Sequence, residues 1–247
     1  MTARRPDITC VVPAFDQPDL VARCLRSIAA QRDVALEIIV TDDSRGSRVR
    51  ERLAEFSIPA VRYLDGARSG NPVDNWNLGL AQARAGVCVL VHQDEFLIDP
   101  TYLRRALDRL VDPTPRAVIA RTVVGGSKRP SRFALAAALG RALGRPRWLL
   151  PSLNWIGPTA AFVFRRGPLF DPDLVQLVDV AFYRHVLGTG RAAFLDGACV
   201  GSLGYHDAQI TAHIDPRRLA RREIGRLAQG PELAFHRAVL GLRARFG

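Results

Sequence analysis

The sequence predicts an α/β domain: a mainly parallel central sheet, helices on its flanks and a helical extension at the C-terminus. Short apolar runs alternate with stretches of helical periodicity across the first hundred residues, which is the rhythm of strand–helix–strand units with right-handed crossovers. The runs are continuous rather than alternating, as in strands buried on both faces. The chain has 247 residues, 48% of them hydrophobic, enough for one full-sized core.

Each element follows from its own pattern. Ile8–Val12 is a strand that stops at Pro13. Asp19–Gln31 has Leu20, Val21, Cys24, Leu25 and Ile28 at helical spacing, with Asp16 or Asp19 as candidate N-cap. Leu36–Val40 is the second strand and runs into Asp42-Asp43-Ser44. Ser47–Phe56 is a helix, Ala60–Leu64 a short strand, Pro72–Ala85 a helix and Val87–Val91 a strand. Beyond Pro100, a helix over Tyr102–Leu110 precedes a strand over Ala117–Val124. Residues 125–150 turn rich in Gly, Arg, Ala and Pro, and Phe133, Leu135, Leu139 and Leu143 mark a short basic helix. Ala160–Phe164 reads as strand, Asp179–Leu187 as helix and Ala192–Val200 as strand, and a basic helical tail starts at Pro216. The functional loops are then expected at the strand ends, in residues 13–17, 42–46, 65–71 and 92–96.

Composition narrows the class. No stretch of about 18 apolar residues predicts a membrane-spanning helix, and MTARRPDITC has no apolar core of a signal peptide. The expectation is a cytoplasmic protein. Cys10, Cys24, Cys88 and Cys199 lack metal-site spacing and read as buried free thiols. The net charge is +11, from 35 Lys and Arg against 24 Asp and Glu, and Lys128 is the single lysine. Such a surface attracts anions. Residues 128–147 carry no acid, and residues 217–226 read RRLARREIGR. No nucleic-acid motif or aromatic platform accompanies the arginines, so nucleic-acid binding is not expected.

The chemistry concentrates where strands end. VCVLVHQDE stops at Asp94 and Glu95. Two adjacent carboxylates repel unless a proton or cation relieves them, and a divalent metal holding an anionic substrate is one relief. Asp42-Asp43 follows another buried strand. An acid there either caps the next helix or accepts hydrogen bonds from ribose or base. GxGxxG and GxxxxGK[ST] are both absent, which disfavours dinucleotide enzymes and P-loop NTPases. A bound diphosphate would need a metal and basic residues instead.

ITCVVPAF, EIIVTDDS, NPVDNWNLGLAQARAG and VCVLVHQDEFLIDP, in that order, resemble the nucleotide-binding half of glycosyltransferase family 2. That family has the GT-A fold, a single Rossmann-like domain. Asn154-Trp155-Ile156-Gly157-Pro158-Thr159 resembles its acceptor side, and Tyr205-His206-Asp207-Ala208-Gln209 a late segment of many members. The resemblance spans about residues 8–212. It implies a GT-A domain over 1–215, with a nucleotide-binding half (1–100) and an acceptor half (101–215), followed by the tail over 216–247.

The resemblance also implies roles. Pro13, Phe15, Asp42, Asp43, Arg68, Asn75, Asn77 and Asp94 fall on the nucleotide. Asp94, Glu95 and His206 fall on a divalent metal, Mg²⁺ or Mn²⁺. Asn154, Trp155 and Thr159 fall on the acceptor, and Asp179 on the catalytic base. The implied reaction is metal-dependent, inverting transfer of a sugar from a UDP-, dTDP- or GDP-sugar to a hydroxyl acceptor, lipid-linked acceptors included. Two departures stand out. The Asp-x-Asp-type motif reads His92-Gln93-Asp94-Glu95, and Val178 replaces the acid that usually precedes the base. A non-catalytic relative of the same fold is the alternative, and a nucleotidyltransferase the next. Trp76 reads as packing, and Trp155 as either a sugar platform or a core residue. Arg165-Arg166 are equally solvated or phosphate-binding. The 128–147 stretch has three readings: a solvated helix, a mobile loop over the acceptor site, or a contact with an anionic membrane at the inner face of the plasma membrane.

Overall fold

The computed structural model describes residues 5–55, 58, 61–125, 132–203 and 216–246. Strands β1 (Ile8–Ala14), β2 (Leu36–Asp42), β3 (Val61–Asp65) and β4 (Val87–Leu90) alternate with helices α1 (Pro18–Ala29), α2 (Arg48–Ala54) and α3 (Pro72–Ala81). Then come β5 (Glu95–Leu97), α4 (Tyr102–Arg109), β6 (Pro115–Val124), α5 (Arg132–Ala142), β7 (Phe162–Arg165), α6 (Val178–Gly188), β8 (Arg191–Ser202), α7 (Pro216–Leu227) and α8 (Gly230–Phe246). Among the described residues these strands form one sheet in the order β3-β2-β1-β4-β7-β6-β8-β5.

The first half is parallel throughout: β1 pairs with β2 and β4, and β2 with β3. All four strands therefore point their C-terminal ends at the same rim. β7 runs antiparallel between β4 and β6, and β8 is parallel to β6. The mainly parallel α/β sheet expected from the alternation is what the chain forms. Pro13 fits β1 for a local reason. Val11 faces β4, accepting from Val91 at 2.9 Å, and Pro13 faces the same way two residues on, past the last paired residue of β4. Its missing N–H removes no ladder bond.

Burial on both faces explains the continuous apolar runs. Cys10 and Val12 enter a core layer with Val21, Leu25 and Ile28 of α1 and Tyr102 and Leu103 of α4. Val11 points into the opposite layer with Val73 and Leu80 of α3 and Phe182 and Tyr183 of α6. α3 lies close on β1: a Cβ on Gly79 would sit 2.3 Å from Val11 Cγ1. The four cysteines are free and buried, and burial pushes their thiols up, which keeps them protonated.

Three local expectations are corrected. The N-cap of α1 is Gln17, without a side-chain cap bond, so neither Asp16 nor Asp19 caps it. Asp16 instead takes a left-handed turn at φ 49°, and its N–H donates to Ser44 Oγ at 2.8 Å. α3 stops at Ala81, short of Ala85. The N–H of Arg84 turns to Glu37 Oε2 (2.8 Å) and that of Ala85 to Thr9 Oγ1 (3.2 Å). Residues 95–97, expected in a loop, form β5 antiparallel to β8. Among the described residues, no helix is long and apolar enough to cross a membrane.

Candidate active site

The shared rim of β1–β4 gathers the loops that the sequence singled out, and side chains staple each loop to the next. Gln93 holds Phe15 at both ends of its residue: Phe15 N–H donates to Gln93 Oε1 at 2.9 Å, and Gln93 Nε2 donates to Phe15 O at 3.2 Å. Asp43 Oδ1 accepts from Arg68 N–H at 2.6 Å, which secures the left-handed backbone of Arg68 at φ 51°, a conformation costing a non-glycine residue about 1–2 kcal/mol. Gly66 N–H donates to Asp42 O at 2.7 Å, and a Cβ on Gly66 would meet that same oxygen at 2.7 Å. Only glycine permits that approach.

The two acids after β2 have separate surroundings. Asp42 is buried. Its Oδ1 accepts from Ser44 N–H at 2.9 Å and from the Ser44 hydroxyl, and its Oδ2 from Tyr63 OH. Asp43 is partly exposed beside exposed Arg68, and the Phe15 ring is exposed. Asn75 is buried in α3 and donates to Thr41 O at 2.9 Å. Asn77 grips the backbone of Phe170, donating to its O and accepting from its N–H, both at 2.9 Å. Asp42, Asn75 and Asn77 thus bond to the protein itself, while Phe15 and Arg68 are exposed and Asp43 partly so.

Asp94 and Glu95 also part company. Asp94 lies in the turn after β4, partly buried, with its carbonyl fixed by Leu203 N–H at 3.1 Å. Glu95 opens β5 and is buried. Its Oε2 accepts from His92 N–H (3.1 Å), Thr159 Oγ1 (3.2 Å) and Ala160 N–H (3.0 Å). Burial first, then the neighbouring Asp94, hold the Glu95 carboxyl well above the usual carboxylate range. His92 packs edge-on to Trp76, ring centres 4.6 Å apart, and Trp76 also meets Phe170.

Asp179 sits in the first turn of α6, where the helix dipole favours an anion. Its Oδ1 is buried and, among the described residues, has no hydrogen-bond partner. Burial raises its pKa, the nearby His92 opposes that, and Asp94 adds to it. The structure therefore brings Asp94, Glu95, His92 and Asp179 into one electrostatic neighbourhood.

The residues that the resemblance puts on the acceptor bond to the fold itself. Asn154 Oδ1 accepts from Ile156 and Gly157 N–H groups at 3.2 and 2.9 Å. Trp155 is buried, donates Nε1–H to Pro146 O at 3.1 Å and covers Gly140, so the core reading of its ring holds. Thr159 is buried against Glu95. Arg165 donates to the carbonyls of Leu110, Asp112 and Pro115, and Arg166 to that of Ala83. His206 and the rest of residues 204–215, like Lys128, lie outside the described residues.

Among the described residues, no three His, Cys, Asp or Glu side chains gather into a metal cage. The site fits a different type of divalent ion binding, through one or two carboxylates and the oxygens of a bound diphosphate. Burial is the first cause that raises the Glu95 and Asp179 carboxyls, and the charge of Asp94 adds to it at both. Sequence reasoning missed Gln93, Ser44 and Tyr63. They lack any periodic signature, because each acts on a loop from another strand.

A family model described as "Glycosyl transferase family 2" matches residues 9–167. An uncharacterised Mycobacterium tuberculosis protein, MT1568, is 30% identical over 209 residues, covering 77% of this chain and 65% of that protein. The succinoglycan biosynthesis protein ExoO of Rhizobium meliloti is 31% identical over 104 residues, covering 42% and 30%. The match thus spans less than two thirds of the length of either relative. Among solved structures, the mannosyltransferase PcManGT of Pyrobaculum calidifontis, in complex with GDP-Man and Mn²⁺, superposes with a TM-score of 0.66 at 19% identity, covering 99% of this chain and 77% of that one. S. aureus TarS 1–349 in complex with UDP-GlcNAc gives 0.64 at 17% identity, covering 95% and 70%.

Proposed function

This chain belongs to glycosyltransferase family 2, and from that premise we propose that it transfers a sugar, with inversion, from a nucleoside-diphosphate sugar to a hydroxyl acceptor. The carrying observation is the unpartnered, buried Oδ1 of Asp179 beside the Asp94 turn. A carboxyl whose pKa is raised, with no protein partner on one oxygen, suits a general base awaiting a substrate proton.

In this reading Phe15 and Asp43 contact the base and ribose, Arg68 pairs with a phosphate, and Pro13 shapes the end of β1. Asp42, Asn75 and Asn77 hold that surface in place. Asp94 would hold the divalent ion, with Glu95 fixing the turn and His206 as a further candidate ligand. When bound, Mg²⁺ or Mn²⁺ neutralises charge on the leaving diphosphate; PcManGT with GDP-Man and Mn²⁺ supports the choice. Asp179 takes the proton of the acceptor hydroxyl as its oxygen attacks the anomeric carbon. The bond from that carbon to the diphosphate oxygen breaks on the opposite face, and its electron pair leaves with the diphosphate. Asn154, Trp155 and Thr159 shape the acceptor wall. Thermal shifts with UDP, dTDP and GDP, with and without Mn²⁺, test the donor site. Stabilisation by one nucleotide that requires metal supports the reading, and no response to any of them overturns it.

The acceptor reading includes an anionic membrane surface. Ala136 of α5 is buried, and Gly140 lies against Trp155. Leu135 and Leu139 of α5, and Leu143 just beyond it, are exposed by 68%, 47% and 54% beside exposed Arg141. Residues 113–170 hold ten Lys and Arg and no acid. An exposed apolar row in an acid-free basic segment complements an anionic bilayer.

A further inference from the structure

We infer that Glu223, in the C-terminal tail, is a positioning residue for Asp179: it fixes the backbone from which the Asp179 helix starts. The inference rests on the reading of Asp179 as base.

In the sequence, Glu223 is one acid within RRLARREIGR. In the structure it is buried on α7 and reaches across to the segment before α6. Val175 N–H donates to its Oε1 at 2.8 Å, Leu177 N–H to its Oε2 at 2.8 Å, and Gln176 N–H to both oxygens at 3.3 and 3.0 Å. Three consecutive backbone donors thus converge on one carboxylate. Leu177, the N-cap of α6, also packs with Ala220, Ile224 and Leu240 of the tail. From the other side, Asn77 grips Phe170 and Asn71 Nδ2 donates to Pro172 O at 2.7 Å. The segment leading into α6 is therefore clamped between α3 and the tail.

Asp179 lies two residues beyond Leu177. Since its Oδ1 has no hydrogen-bond partner among the described residues, the helix start is what sets that atom's position. The carboxylate at this end of α6 also complements the helix dipole. Small displacements of a reacting group lower rate far more than binding.

The experiment uses the full chain, with release of nucleoside diphosphate from GDP-mannose and UDP-N-acetylglucosamine in Mn²⁺ as the readout. Glu223→Gln keeps the shape and replaces one acceptor oxygen with a donor. It is expected to lower kcat about 10- to 100-fold, leave KM for the donor within about twofold, and accelerate amide exchange at residues 175–177. Combined with Asp179→Asn, it should lower kcat no further than Asp179→Asn does alone. An unchanged kcat, or losses that multiply in the double variant, overturns the inference. So does unchanged amide exchange, whatever the turnover. If Asp179→Asn itself turns over normally, it is the base assignment that fails. Glu223→Asp, which keeps the charge, should recover part of kcat if the inference holds, and no better activity than Gln counts against it.

Discussion

Glu95 Oε2 accepts the backbone N–H of Ala160 at 3.0 Å, and this bond joins the turn after β4 to the segment entering β7. The same oxygen accepts from His92 and Thr159. Glu95 is thus a buried tie between the turn at His92 and residues 159–160, while its neighbour Asp94 is only partly buried.

That contrast separates the two acids experimentally. Glu95→Ala strands three donors and should cost about 3–5 kcal/mol in urea unfolding. Asp94→Ala should cost less than about 1 kcal/mol and remove the Mn²⁺-dependent part of nucleotide stabilisation. Equal stability losses for both would show that the division of roles is wrong.

Asp179→Asn keeps the size of the side chain and removes its basicity. Sugar transfer should fall about 10²- to 10⁴-fold, with nucleotide affinity within about twofold as read by calorimetry. Loss of nucleotide binding would place Asp179 in the donor site instead.

Glu37 gives a pH signature of stability. Burial opposes its ionisation, but hydrogen bonds from Thr9 Oγ1, Arg84 N–H and Arg62, with the charge of Arg62, outweigh it and lower its pKa. The folded state therefore binds this proton less readily than the unfolded chain, so stability rises with pH across that window. Glu37→Gln should cost about 1–3 kcal/mol at pH 7. The gap to wild type should close as pH falls through the folded-state value, below the ordinary carboxylate range. A gap that does not change with pH would count against the assignment.

The outward row on α5 is tested by vesicle sedimentation. The protein should pellet with phosphatidylglycerol-containing vesicles and not with phosphatidylcholine alone. Leu135→Ser with Leu139→Ser should reduce the bound fraction several-fold. Equal binding to both lipids, or to neither, removes the membrane reading, and a dimer that the serines dissolve assigns the row to a second copy.

The parallel part was legible because β1, β2 and β4 are dominated by apolar runs and each loop follows directly in sequence. β5 was not, because its three residues become a strand only by pairing with β8, about a hundred residues later. The family resemblance put Asn75 and Asn77 on the nucleotide. Helical geometry turns one onto Thr41 and the other onto Phe170. Glu223 did leave a trace. Ala220, Ile224 and Leu227 share a helical face at three- and four-residue spacing, and Glu223 is the acid on that face.

The sequence by itself determined the α/β class, the family and the rim where the loops meet, since periodicity and local motifs encode these. Tertiary structure alone decided which acids are buried. Adjacent residues at a strand end diverge, so Glu95 turns inward to three donors while Asp94 remains in the turn. It also decided that the tail reaches the start of α6 through Glu223, because the partner of a side chain 46 residues away follows from packing and is not written in local sequence.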